Sequence, residues 1–127
     1  MTQSLGMESL QVTTQVISEI NTSVITLKGP LVISDMFELQ RKLQEDTQAA
    51  TILDMGGVEY IDSAGVGLLV NAYVSRQKTG RKLGLARILD RPKTVLRVTR
   101  VDTLFHFYNS VDEAKAALGR ASAAGSA

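Results

Sequence analysis

Val58-Glu-Tyr-Ile-Asp-Ser-Ala-Gly-Val-Gly-Leu-Leu-Val70 changes its hydrophobic period half-way along. Just upstream, Thr51-Ile-Leu-Asp-Met55 is a short apolar run of strand type. Downstream, Val66, Leu69, Val70, Tyr73 and Val74 recur at the three- and four-residue steps of a helix. Asp62 and Ser63 stand at the changeover, where a helix needs side-chain oxygens for its unpaired N–H groups. The stretch predicts a strand-to-helix corner. It presents one serine at the positive end of a helix dipole, hydroxyl towards solvent, with Gly65 and Gly67 close behind.

The elements on either side follow from the same signals. Residues 50–55 form a strand whose adjacent Ile52 and Leu53 imply burial on both faces, as in a central parallel strand, and Gly56-Gly57 loosens the chain after it. The helix from residue 63 to 78 is stopped by Gly80. Towards the N-terminus, residues 10–20 and 23–28 are rich in β-formers, with Asn21-Thr22 suited to a turn, so a hairpin is expected and Gly29-Pro30 ends it. Ser34 or Asp35 then caps a helix, Asp35 and Glu38 having the form of a capping box. Met36, Leu39 and Leu43 share its inner face, while Glu38, Arg41, Lys42 and Glu45 face water.

Towards the C-terminus, residues 82–86 read as a strand. Asp90 caps a helix with Pro92 in its first turn and Val95, Leu96 and Val98 apolar. Residues 104–108 read as a further strand, and Ser110 and Glu113 make a capping box for a last helix ended by Gly119. The order ββαβαβαβα predicts an α/β domain with a mixed sheet, an N-terminal hairpin plus parallel strands, and about four helices. Its expected extent is residues 10–119, between a flexible leader (1–9) and a flexible tail (120–127).

Composition narrows the chemistry. A chain of 127 residues fits one domain with a sizeable core. The absence of cysteine excludes disulfides and thiol catalysis, and the single histidine, His106, excludes any site that needs two. The longest apolar-plus-glycine run, residues 64–70, is too short to cross a membrane, and the N-terminus lacks the basic and apolar regions of a signal peptide. A cytoplasmic protein without membrane insertion is expected. Residues 1–63 carry nine acids and three bases, and residues 64–127 four acids and eleven bases. Most of the basic excess lies between Arg76 and Arg100. Such a run reads either as a solvated rim or as a surface for nucleic acid, anionic lipid or an acidic protein. Its lack of aromatics argues against a stacking platform for single strands.

Ser63 has three possible roles: nucleophile, phosphate acceptor or helix cap. A nucleophile elbow reads G-x-S-x-G, but Ile61 occupies the first glycine position and His106 is the sole candidate base, which argues against a hydrolase. Two glycines in a first turn cost about 1–2 kcal/mol of helix propensity. Either they let the helix pack closely on the sheet, or they leave a bare surface for a partner. The G-V-G run is no dinucleotide fingerprint, lacking the third glycine. His106, between Phe105 and Phe107, reads as a half-buried strand residue. Asp54, Glu59 and Asp62 form an acidic group near the corner without metal-ligand spacing, so neither a metal nor a cofactor is assigned.

Leu53-Asp54, Val58 and Tyr60-Ile-Asp-Ser-Ala-Gly-Val-Gly-Leu-Leu69 together closely resemble the signature of STAS domains, the sulphate-transporter and anti-sigma-factor-antagonist family. Leu27-Lys-Gly-Pro-Leu31, Thr79-Gly-Arg-Lys-Leu83 and Ser110-Val-Asp-Glu-Ala114 extend the likeness over nearly the whole chain. The resemblance implies a stand-alone anti-sigma factor antagonist with no catalysis of its own. By position, Ser63 is the phosphate acceptor. The resemblance implies as partner an anti-sigma factor that is also a serine kinase, with a metal-dependent phosphatase that reverses its action. The unphosphorylated antagonist binds the anti-sigma factor and frees the sigma factor. The partner surface is expected at Asp62, Ser63, Ala64, Gly65, Val66, Gly67 and Ser34 of a monomer or weak dimer, without direct contact to nucleic acid. Part of the basic run is expected to face acidic residues of the partner. Val32 stands where many phosphorylated antagonists have aspartate, and Ala64 replaces a frequent serine or threonine. Two alternatives remain: a STAS scaffold in a stressosome or lipid-transport complex without phospho-switching, and a nucleotide-binding domain using the acidic corner and the basic run.

Overall fold

The computed structural model describes residues 9–119, so the expected tail and all of the expected leader except Ser9 lie outside the described residues. The chain runs β1 (Gln11–Ile17), β2 (Thr22–Lys28), α1 (Phe37–Glu45), β3 (Ala50–Gly57), α2 (Ser63–Lys78), β4 (Lys82–Ala86), α3 (Asp90–Val98), β5 (His106–Tyr108) and α4 (Val111–Leu118). The five strands lie in sequence order, β1 antiparallel to β2 and all later neighbours parallel. The order and the mixed sheet are those expected from the sequence.

β3 is buried from Ala50 to Met55 because both of its faces are covered. Leu53 and Met55 join a large core with Ile25, Leu27 and Leu85, closed by Leu39 and Leu43 of α1, Leu69 and Ala72 of α2 and Leu96 of α3. Ala50 and Ile52 point the other way, into a smaller cluster with Val24, Ala86 and, from α4, Ala114 and Leu118. Three helices thus cover one face and one helix the other.

Several local expectations are corrected. β1 ends at Ile17, and Ser18–Ile20 is a 3-10 turn closed by Asn21 in the left-handed region (φ 51). Neither Ser34 nor Asp35 caps α1; both lie in the 3-10 turn Ile33–Asp35, and the Asp35 carboxylate instead accepts the Leu10 N–H. Gly56 and Gly57 do not loosen the chain but complete β3, the Gly57 carbonyl accepting the Gly29 N–H at 3.0 Å. Asp90 lies inside α3 rather than capping it, and Val98 is 72% exposed. Leu104 belongs to a 3-10 turn, so β5 begins at His106. Ser110 caps the last helix as expected, its Oγ accepting the Glu113 N–H at 3.0 Å, while Glu113 Oε1 reaches one residue past the cap to accept the Asn109 N–H at 2.7 Å.

The C-terminal end of α2 is fastened by a buried ion pair. Arg76, 3% exposed, donates through Nη2 to Asp46 Oδ2 and to the Leu43 carbonyl, both at 3.0 Å, and through Nε to Thr51 Oγ1 at 3.1 Å. Asp46 also accepts from Ser23 Oγ at 2.6 Å and from Thr51 Oγ1, and Arg81 Nη2 lies 3.5 Å away. Burial works to raise the Asp46 pKa, but these hydrogen bonds outweigh it and hold the carboxyl below its ordinary value. One acid therefore joins the α1–β3 loop to β2, β3 and the last turns of α2.

Candidate functional site

After β3 the chain turns back along the end of β2. Val58 and Ile61 are buried, Ile61 forms a parallel bridge with Leu31, the Leu31 N–H bonds to the Tyr60 carbonyl at 3.0 Å, and the Asp62 N–H bonds to the Leu31 carbonyl at 3.2 Å. These contacts fix the position of Asp62. Its backbone is extended, its Oδ1 accepts the Gly65 N–H at 2.9 Å, and its carbonyl accepts the Val66 N–H at 3.0 Å. Asp62, not Ser63, is therefore the cap of α2. Its other oxygen, Oδ2, accepts the Ile33 N–H at 3.0 Å, so one carboxylate ties the helix start to the Ile33–Asp35 turn. Ser63 becomes the first helical residue. It is exposed, and its hydroxyl makes no hydrogen bond among the described residues.

The two glycines divide the two readings between them. A Cβ on Gly65 would lie 2.4 Å from the Leu31 carbonyl oxygen and 2.7 Å from Ile61 Cγ1, so glycine is what lets the first turn approach the chain at Leu31. A Cβ on Gly67 would meet nothing within 4 Å among its neighbours, leaving a bare patch one turn beyond Ser63. Gly65→Ala is therefore expected to destabilise the fold and displace the start of α2. Gly67→Ala is expected to raise stability by up to about 1 kcal/mol, since nothing blocks the added methyl and alanine is the better helix former. Thermal denaturation of the two variants checks both signs.

The remaining expected partner residues separate by burial. Ala64 is half-buried, Ser34 is exposed on the turn, and Gly65 and Val66 are buried beneath the surface. Beside them lie two residues that sequence reasoning missed: Ile33 is 73% exposed and Phe37 75% exposed. Phe37 opens α1 outside the Met36, Leu39 and Leu43 spacing, and that off-face aromatic is the signal that could have found it. Val32 sits between two backbone contacts to Asp62, so a side chain there stands next to the corner.

The acidic group disperses into separate tasks. Asp54 is buried and receives Arg87 bidentately, Nε to Oδ1 at 2.8 Å and Nη2 to Oδ2 at 3.1 Å, from a left-handed residue (φ 59) at the end of β4. The guanidinium lies over Gly56, where a Cβ would fall 2.5 Å from it. Asp62 serves as the cap, and Glu59 is exposed. No group of three potential metal ligands occurs among the described residues. His106 is exposed on the edge strand β5, not half-buried as expected. The basic run is not one surface either. Arg76, Arg81 and Arg87 pair with acids of the fold, and Lys93 Nζ lies 4.8 Å from the centroid of the Phe107 ring, leaving Lys78, Lys82, Arg91, Arg97 and Arg100 exposed. Among the described residues no helix is long and apolar enough to cross a membrane.

A mixed five-stranded sheet with helices on both faces and a capped serine corner defines a recognisable class of small α/β domain. The STAS domain profile matches residues 11–114, and the chain belongs to that family. Its fold is similar to that of an anti-sigma factor antagonist from Mycobacterium paratuberculosis, with a TM-score of 0.77 at 20% identity over 87% of this chain and 94% of that one. A putative anti-sigma factor antagonist from Thermotoga maritima gives 0.77 at 19% identity over 84% and 93%. The Bacillus cell fate determinant SpoIIAA in its phosphorylated form gives 0.67 at 16% identity over 84% and 98%.

Proposed function

We propose that the chain is an anti-sigma factor antagonist, a binding module without catalysis of its own, switched off by phosphorylation of Ser63. The observation that carries this reading is the division of labour at the corner. Asp62 takes both the cap and the turn, which leaves the Ser63 hydroxyl exposed and unengaged by the described residues. A phosphate there adds about −1.5 to −2 charges at a helix N-terminus, which can hold it without refolding. Its bulk and charge beside Asp62 instead obstruct the docked partner. The kinase is the anti-sigma factor itself, and a metal-dependent serine phosphatase restores the surface.

Ser63, Ala64 and Gly67 form the small-residue half of the docking surface, with Ser34 at its edge. Ile33 and Phe37 form the apolar half, and Gly65 and Val66 support it from beneath. An exposed aromatic beside a bare helical patch is the composition of an interface anchor. Phe37→Ala is expected to weaken anti-sigma factor binding by about 2 kcal/mol, roughly thirtyfold, without loss of stability. Titration calorimetry checks this.

The test of the reading is recovery from the native cell extract with wild-type, Ser63→Ala and Ser63→Asp baits. The first two are expected to retain a serine-kinase anti-sigma factor and the third to lose it. Recovery of the same transporter or stressosome subunits by all three would make the domain a scaffold, and binding of labelled ATP by the chain alone would favour a nucleotide site. Because Arg91 follows β4 at the same end of the sheet as Ser63, binding is also expected to weaken between low and moderate salt.

A further inference from the structure

The sheet has two edges, and they are treated differently. β5 has three residues, too short to template another strand. β1 has seven, Gln-Val-Thr-Thr-Gln-Val-Ile, pairs only with β2 among the described residues, and keeps an unshifted register through all seven positions. Free edges are ordinarily blunted by charge, proline or a bulge. β1 carries none of these, and Val16 is 53% exposed.

The residues of β1 are complementary to a reversed copy of themselves. With Thr14 on a two-fold axis, an antiparallel pair sets Thr14 against Thr14, Thr13 against Gln15, and Val12 against Val16. Val12, Thr14 and Val16 lie on the face of the main core, because they pair with Leu27, Ile25 and Ser23 in β2 and Val12 packs against that core. Each exposed Val16 would therefore be covered by a half-buried Val12 of the second copy, and directly opposed β-branched pairs stabilise antiparallel strands. Thr14–Thr14 and Thr13–Gln15 can hydrogen-bond, and Gln11 against Ile17 is uncharged, so nothing in the strand repels itself. The adjoining rim also suits a two-fold partner. Lys42 and Glu45 of α1 surround one hollow of about 190 Å³ with Thr14 and Val16, so each copy offers both signs to the other.

We propose that a second copy of this chain docks on β1, edge to edge and antiparallel about Thr14, extending the two five-stranded sheets into one. The proposal is independent of the reading of Ser63, which follows β3, two strands in from the β1 edge. The contact is small, so a dissociation constant in about the 10–100 µM range is expected.

Sedimentation equilibrium of the full chain from about 1 to 300 µM tests it, with dimer expected to accumulate over that range. Thr14→Asp places like charges opposite each other and is expected to raise the dissociation constant at least tenfold, with the circular dichroism and melting temperature of wild type as the folding control. Ser63→Asp is expected to leave dimerisation unchanged. The chain has no cysteine, so a single introduced thiol reports the register directly. Residues directly opposed in an antiparallel pair have Cα atoms about 4.5–5.5 Å apart, within disulfide reach. Thr14→Cys is expected to cross-link under copper phenanthroline and Gln11→Cys, set against Ile17, is not. A chain monomeric at 300 µM, a dimer indifferent to Thr14→Asp, or equal cross-linking of the two cysteine variants would each overturn the proposal.

Discussion

Asp46→Ala is expected to cost about 3–5 kcal/mol of stability, the largest effect of any single substitution considered, although Asp46 lies at the opposite end of α2 from Ser63. The reason is asymmetry. Removing the acid leaves Arg76 buried without its counter-ion, and Ser23 and Thr51 without an acceptor. For a domain of this size the loss corresponds to a fall in melting temperature of roughly 10–25 °C. Adding Arg76→Met to the variant is expected to recover much of it, because a buried ion pair replaced by apolar groups is often neutral. The pH dependence has a definite sign. The Asp46 carboxyl is held below its ordinary value in the fold, so its contribution is complete above the ordinary carboxylate range and is lost as pH falls through the folded value. Wild type should lose stability below about pH 4, and Asp46→Ala should lack that part of the acid limb. Denaturant titration at several pH values measures both, and a variant within 1 kcal/mol of wild type would refute the role assigned to the pair.

Ser63→Asp is expected to lower affinity for the anti-sigma factor at least a hundredfold, about 2.7 kcal/mol, while leaving the fold as stable as wild type or slightly more so. Like charge set into an interface costs several kcal/mol, and the substitution adds a second carboxylate beside Asp62 on a surface otherwise built of small and apolar groups. In the free protein the same charge sits in the first turn of a helix, where it is favourable by about 0.3–1 kcal/mol. Affinity and stability therefore move independently. Titration calorimetry beside thermal denaturation separates them, and undiminished binding by this variant would end the phospho-switch reading.

The element order, the mixed sheet and the serine corner were legible in the sequence because each rests on local periodicity. The period changes at residues 58–70, the adjacent Ile52 and Leu53 mark a doubly covered strand, and Ser110 with Glu113 announces a helix. What local pattern does not settle is which of several neighbouring polar groups takes a given partner. Asp35 and Asp90 had the form of caps, yet Asp35 is drawn to Leu10, far away in sequence, and Asp90 falls one position inside its helix. Asp62 and Ser63 were equivalent candidates for one cap until the backbone around Leu31 fixed the aspartate. The basic run misled for the same reason, since Arg76, Arg81 and Arg87 find acids more than thirty residues away or nearly so, at Asp46 and Asp54. One sign was available: position 76 continues the buried Leu69 and Ala72 face of α2, and a cation on that face implies an internal anion. Ile33 and Phe37 were passed over because exposure of an apolar side chain depends on what the rest of the chain leaves uncovered.

The double engagement of Asp62 also governs reactivity. Both of its oxygens are occupied by backbone N–H groups, and the one imidazole of the chain lies on β5, two strands away from β3. Among the described residues the Ser63 hydroxyl is hydrogen-bonded to no proton acceptor. On the proposed phospho-switch reading, the enzyme that modifies Ser63 brings the base as well as the donor, and the moment of modification is set by that visitor's active site.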